Sequence, residues 1–214
     1  MNSESLRPVL YDLSPPITPG LGVWPGDTPP SRTVLAQLAD GDDLTLSTLQ
    51  TTVHVGTHAD APSHTQPGGA TIDDADLNLY LGPCQVMRPA ASRNGLIEPD
   101  DLTEPIRRRR LLLATGTFPD PGAFTTDFAV PSPELIDHLA AENVVLLGTD
   151  APSVDPFDSK DLLSHGRLAH HGMAVLEGLL LDAVPAGDYE LVALPLRLVG
   201  FDASPVRAVL RELG

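Results

Sequence analysis

The 214-residue sequence predicts one α/β domain built on a mixed sheet. Short apolar runs rich in Val, Leu and Thr, separated by turn residues, have the pattern of strands. A capped helical segment interrupts them at Ser132. The links include both short turns and longer crossovers, which suits a mixed sheet better than a purely parallel one. The 22 Pro and 18 Gly are spread along the chain rather than gathered into a linker. No internal repeat or low-complexity tract occurs, so residues 1–214 are read as a single domain.

Taken in order, Val9 to Leu13 reads as the first strand, followed by Ser14-Pro15-Pro16 and a loop whose Pro25-Gly26-Asp27 is a turn signal. Leu44 to His54 alternates apolar and small polar residues and is expected to be a strand running directly into a histidine-rich segment. Further strands are expected at Cys84 to Met87, Arg110 to Ala114, Val144 to Gly148, Leu179 to Ala183, Tyr189 to Leu196 and Val206 to Leu210. Ser132 is an N-cap residue with Pro133 in the first turn and Leu135, Ile136 and Leu139 at core spacing, which predicts a helix. A short helix is expected after Pro99, and another within Lys160 to Met173.

Hydrophobic residues (42%) and charged residues (20%) lie near the globular average, which argues against wholesale disorder. The balance of 13 Lys+Arg against 29 Asp+Glu gives −16, which opposes nucleic acid and anionic membrane surfaces as partners. No run approaches the roughly 18 apolar residues of a membrane span, and residues 1–8 lack the apolar region of a secretory signal. A cytoplasmic location is expected. The lone Cys84 leaves no thiolate cluster, so a metal would have to be held mainly by nitrogen and oxygen.

Six of the seven histidines fall in two windows: His54, His58 and His64, then His165, His170 and His171. Within seven positions His54, His58 and Asp60 offer two imidazoles and a carboxylate, ligands suited to zinc and related ions. On a strict strand His54 and His58 would stand about 13 Å apart, too far for one ion. Gly56 is therefore expected to bend the backbone so that the imidazoles converge, and Pro62 to stiffen the route to His64. Glu177 sits in the apolar run M-A-V-L-E-G-L-L-L, where burial of its charge calls for a cation or hydrogen-bond donors. A Lys or Arg partner would serve equally. His165, His170 or His171 could add a further nitrogen, although the last two also read as solvated surface residues.

These residues identify a resemblance. H-x-G-x-H-x-D-A-P-x-H stands complete from His54 to His64, and the chain resembles the bacterial kynurenine formamidases (arylformamidases) of the cyclase-like metal-dependent hydrolase family. Similar blocks cover nearly the whole length: Y-D-L-S-P-P-I from Tyr11, V-W-P-G-D-T-P from Val23, Y-L-G-P-C from Tyr80, G-T-D-A-P-S-V-D-P from Gly148, L-E-G-L from Leu176 and D-A-V-P-A-G-D-Y-E-L-V-A-L-P-L from Asp182. The resemblance implies a swivelling β/β/α architecture, assembly as a homodimer or homotetramer, and two divalent ions per subunit, zinc with manganese as the alternative. It implies that His54 and His58 hold one ion, that Asp60 bridges both, and that His165, twelve positions before Glu177, pairs with that carboxylate. The extra histidine in A-H-H-G at Ala169 to Gly172 keeps a ligand swap open.

By the same resemblance His64 is the proton-transfer residue, a task suited to an imidazole. Trp24 lies against the aromatic substrate, with Phe157 or Tyr80 as candidate partners. The implied reaction is metal-dependent hydrolysis of N-formyl-L-kynurenine to L-kynurenine and formate, in tryptophan degradation. A sibling activity on another aryl amide such as isatin would use the same residues. A non-catalytic metal-binding protein would be expected to lack His64 or Asp60, and both are present. No G-x-S-x-G elbow of a serine hydrolase and no P-loop occur.

Overall fold

The computed structural model describes residues 9–213, so the segment 1–8 examined for a leader lies outside the described residues. Leu111, Leu112 and Leu113 explain the architecture in miniature, because all three are fully buried. On a strand successive side chains face opposite ways, so a continuous apolar run means a sheet covered on both faces. Leu111 and Leu113 pack with Leu135, Ile136, Leu139 and Leu168 from two helices, α1 (Pro133–Ala141) and α2 (Leu163–His171). Leu112 packs on the other face with Leu13, Cys84, Leu176 and Leu191.

The main sheet has nine strands in the spatial order Leu10–Asp12, Val209–Glu212, Gly187–Val192, Leu81–Met87, Arg110–Leu113, Leu146–Thr149, Ala174–Glu177, His58–Asp60 and Ala203–Pro205. The four central strands from Leu81–Met87 to Ala174–Glu177 are mutually parallel, and the pairings outside them are antiparallel. The sheet is therefore mixed, as expected. Among the described residues no helix is long and apolar enough to cross a membrane.

Helix α1 begins where its sequence signals place it. The Ser132 hydroxyl accepts a hydrogen bond from the Leu135 N–H at 3.0 Å, and Pro133 occupies a position that needs no donor. The helix expected after Pro99 is a single 3₁₀ turn, Pro99–Asp101. Four expectations need correction, the first being Val206 to Leu210, of which only Val209 and Leu210 lie in a strand, Val209–Glu212. The strand Leu46–Gln50 stops short of His54 and pairs only with Ser31–Ala36 in a separate exposed hairpin, so its alternation does not mark a core face. Leu179 to Ala183 is buried at Leu179 and Leu181 but forms no strand, since an apolar run reports burial and not ladder pairing. The strand Gly187–Val192 ends four residues before Leu196.

The strands His58–Asp60 and Ala174–Glu177 were not anticipated as strands. The first is three residues long and two of them are polar, so it carries no apolar period. Two glycines allow the chain to enter and leave this region. Gly56 has φ +56°, and Gly178 has φ +66° with its α-carbon so close to the other turn that a Cβ would lie 2.4 Å from the Gly56 carbonyl oxygen. Gly178→Ala is expected to lower the unfolding free energy by more than about 2 kcal/mol, combining left-handed strain with a backbone clash. An unchanged denaturation midpoint would show that the two turns are free to separate.

Candidate metal centre

Strand register assembles the first part of the site. His58 and Glu177 are direct cross-strand partners, and Asp60 lies two residues along from His58, so all three side chains leave the same face of the sheet. His58 Nε2 lies 3.2 Å from Glu177 Oε2 and 3.5 Å from Asp60 Oδ1. Its other ring nitrogen is 3.0 Å from the Gly56 carbonyl, which fixes the ring so that Nε2 faces the carboxylates. His54 lies on irregular backbone, and the turn at Gly56 returns it to this cluster. The His54 and His58 ring centroids are 5.0 Å apart, in place of the separation a straight strand would impose.

Helix α2 supplies the remaining imidazole. His165 Nε2 points at Asp60 Oδ2 (3.4 Å) and Glu177 Oε1 (3.5 Å). Asp155, a residue not singled out from the sequence, holds it there. One Asp155 oxygen accepts the Ser164 N–H (2.9 Å), and the other accepts the His165 N–H (3.0 Å) and lies 2.6 Å from His165 Nδ1. The same carboxylate thus caps the helix and orients the imidazole. His171 is placed differently, with Nε2 2.7 Å from Asp137 on the exposed side of the helix, and His170 is exposed beside it. The only expected alternatives to His165 therefore lie away from the cluster.

His64 stands at the rim, about one third exposed, with Nδ1 3.5 Å from Asp202 and its ring centroid 4.2 Å from that of His54. Asp202 is the second residue the sequence did not reveal. Its Oδ2 lies 2.9 Å from His54 Nε2, while His54 Nδ1 faces Asp60 Oδ1 at 3.0 Å. Both missed carboxylates are single acids far along the chain from the motif. A local reading offers no signal for Asp202, and only the final D-P of the Gly148 to Pro156 block pointed toward Asp155.

The electrostatics of the cluster demand positive charge. Asp60 and Glu177 are buried, and the groups facing them are histidines and the Val154 N–H, which donates to Glu177 at 2.9 Å. The Lys or Arg partner that could have explained Glu177 is not there among the described residues. Burial alone would raise the Asp60 pKa, but the facing His165 and His54 hold it well below the usual carboxylate range. Glu177 is likewise lowered against burial and the charge of Asp60. Burial would depress His54, yet Asp60 and Asp202 outweigh it and hold it at about 9; His58 and His165 are also raised.

Both Asp60 oxygens and His165 Nε2 are buried with no hydrogen-bond partner. Orphaned polar atoms of this kind are costly unless a ligand completes them. Three overlapping donor sets, His54/His58/Asp60, Asp60/His64/His165 and His54/His64/Asp202, each bring their ligand atoms within 4.8 Å of one another. The nitrogen and oxygen donors fit a divalent cation.

The cluster opens into a cavity of about 360 Å³. Trp24 forms its opposite wall with Phe157 (centroids 4.9 Å), Phe124 (5.5 Å) and, through Phe124, Phe118 (6.0 Å). Phe157 is thus the aromatic neighbour of Trp24. Tyr80 is not: it belongs to the core and lines a smaller cavity of about 190 Å³ that reaches Asp60 and His165 from behind. Every ionisable side chain lining the larger cavity is a His, Asp or Glu, and Asp27, beside Trp24, makes no side-chain hydrogen bond or ion pair among the described residues.

Comparison with known proteins places this geometry. Residues 11–156 match the model of the Cyclase family. A structure described as a potential metal-dependent hydrolase with cyclase activity superposes with a TM-score of 0.84 at 31% identity, covering 97% of this chain and 99% of that one. A predicted metal-dependent hydrolase from Bacillus stearothermophilus gives 0.82 at 31% identity, covering 96% and 99%. The fold is shared more distantly with isatin hydrolase A from Labrenzia aggregata, at a TM-score of 0.81 and 22% identity over 97% and 94% of the two chains. By sequence and by architecture the chain belongs to the Cyclase family and has the fold of its metal-dependent hydrolases.

Proposed function

We propose that this protein is an arylformamidase that hydrolyses N-formyl-L-kynurenine to L-kynurenine and formate. The observation that carries the reading is a buried imidazole–carboxylate cluster with unsatisfied donor atoms, opening directly onto an aromatic-walled cavity. The formamidase blocks of the sequence, V-W-P-G-D-T-P among them, support the choice of substrate. So does Asp27, a free carboxylate beside Trp24 suited to the α-ammonium of an amino acid, a group that isatin lacks.

His54, His58 and Asp60 would hold one cation and Asp60, His165 and Glu177 a second, zinc or manganese. A divalent cation bound here supplies Lewis acidity, which lowers the pKa of water toward 7 and polarises a carbonyl. The chain does the rest. Trp24 and Phe157, packed against each other, give the substrate ring an apolar wall to lie on, with the formyl group toward the cluster. His64, at the rim between cluster and solvent, takes a proton from the attacking water. It returns that proton to the aryl nitrogen as the C–N bond breaks and formate leaves. Asp202 and Asp155 orient His54 and His165.

N-formyl-L-kynurenine and isatin assayed side by side are expected to show turnover of the first, abolished by chelation. Full activity after chelation would remove the metal-dependent mechanism, and turnover of isatin alone would replace the substrate. His64→Ala is expected to lower kcat by about 10²- to 10⁴-fold with metal content and melting temperature unchanged.

His165→Ala should lose metal by elemental analysis, whereas His171→Ala should retain it. Cation binding also competes with protons. With its pKa raised to about 9, His54 is protonated at neutral pH in the cation-free protein, so loading at pH 7 is expected to release protons, measurable by calorimetry in buffers of different ionisation enthalpy. In the cation-free protein the stability from the raised His54 pKa is complete below about 6.5 and is lost as pH rises through about 9.

A further inference from the structure

The Pro25-Gly26 signal of the sequence is a turn closed by the Asp27 N–H, which donates to the Trp24 carbonyl at 3.0 Å, with Gly26 at φ +104°. The turn brings Asp27 back beside Trp24, half-buried in the wall of the larger cavity. The other acids of that wall are committed. Glu177 faces the imidazoles, and Asp150 accepts the Thr115 hydroxyl (2.6 Å) and the N–H groups of Thr115 (3.1 Å) and Gly116 (2.8 Å). Asp27 alone among them keeps a carboxylate without a partner among the described residues.

A carboxylate beside aromatic rings suits an ammonium group, which gains an ion pair from the one and a cation–π contact from the other. Nothing in the wall offers as much to an anion. No Lys or Arg lines the cavity, and Pro15, Pro121, Pro152 and Pro156 have no N–H to donate. The sole lysine of the chain, Lys160, is exposed and follows Ser159 outside the lining. A carboxylate set against Asp27 would be repelled and desolvated with no cation to offset the cost.

We propose that the same centre deformylates ortho-formamidophenyl ketones whose side chain ends in a primary amine with no carboxylate, and prefers them to N-formyl-L-kynurenine, with Asp27 and Trp24 as the ammonium subsite. The inference rests on the formamidase reading and extends it. Water adds to the formyl carbon, the C–N bond breaks, the aryl nitrogen takes a proton and formate leaves. The side chain takes no part in these steps, so only its fit to the wall separates one such substrate from another.

Four aryl formamides test this on the metal-loaded protein: N-formyl-L-kynurenine, the amine left when it loses its carboxylate, the keto acid left when it loses its amine, and ortho-formamidoacetophenone, which has neither charge. The amine is expected to give the highest kcat/KM, through KM, and the keto acid the lowest. Asp27→Asn should cut the preference for the amine over ortho-formamidoacetophenone by about tenfold, the scale of one hydrogen bond between charged groups, and Asp27→Glu should keep it. Asp27→Lys should reverse the order of amine and keto acid, which a merely structural role would not do. Trp24 is the only tryptophan, so its fluorescence gives a readout independent of turnover: the deformylated amine is expected to quench it, with a Kd raised about tenfold by Asp27→Asn. Higher kcat/KM for the keto acid or for N-formyl-L-kynurenine than for the amine overturns the proposal, as does an order that Asp27→Lys leaves unchanged or quenching indifferent to Asp27→Asn. If none of the four is hydrolysed while the amine still quenches Trp24 through Asp27, the formamidase reading fails and the ammonium subsite stands.

Discussion

Two buried carboxylates that lack a fixed cation govern this molecule. Asp60 and Glu177 lie within reach of one another and of three imidazoles, in a place where an uncompensated negative charge would cost several kcal/mol. Protons on the imidazoles offset part of that cost, and a divalent cation would offset more while completing the orphaned Asp60 oxygens and His165 nitrogen. The formal charge of −16 therefore overstates the negative charge of a metal-loaded protein. Most of the acids remain on the surface, where they serve solubility.

The rest of the fold can be understood as scaffolding for that cluster. A sheet covered on both faces supplies rigid neighbours, and the cluster's side chains other than His54 come from its His58–Asp60 and Ala174–Glu177 strands and from the first turn of α2. Beside the site two glycines with left-handed backbone, Gly56 and Gly178, let the chain double back. Apart from His54, the candidate ligands stand on regular elements, while the aromatic wall around Trp24 stands on loops. That division lets changes in the loops reshape the cavity wall without disturbing the imidazole–carboxylate cluster.

Much of this was legible in the chain because the chemistry is local. His54 to His64 is contiguous, its glycine announced a bend, and Ser132-Pro133 announced a helix start; each depends on neighbours in sequence. The family resemblance supplied what spacing could not, the pairing of His165 with Glu177. Asp155 and Asp202 stayed hidden because each is one acid among 29 whose role exists only through a tertiary contact. The hairpin misled for a different reason. Alternation ordinarily means one buried face, and here both faces of the ladder meet solvent in the single chain.

The direct pairing of His58 with Glu177 has a consequence for how such a protein can evolve. Because strand side chains alternate, a slip of one residue in either strand would turn its ligands to the opposite face. Substitution within these strands is limited by chemistry, but insertion or deletion is limited by parity. Insertions and deletions are therefore accommodated in the loops, where the cavity wall can be remodelled without changing the register of the strands that carry His58, Asp60 and Glu177.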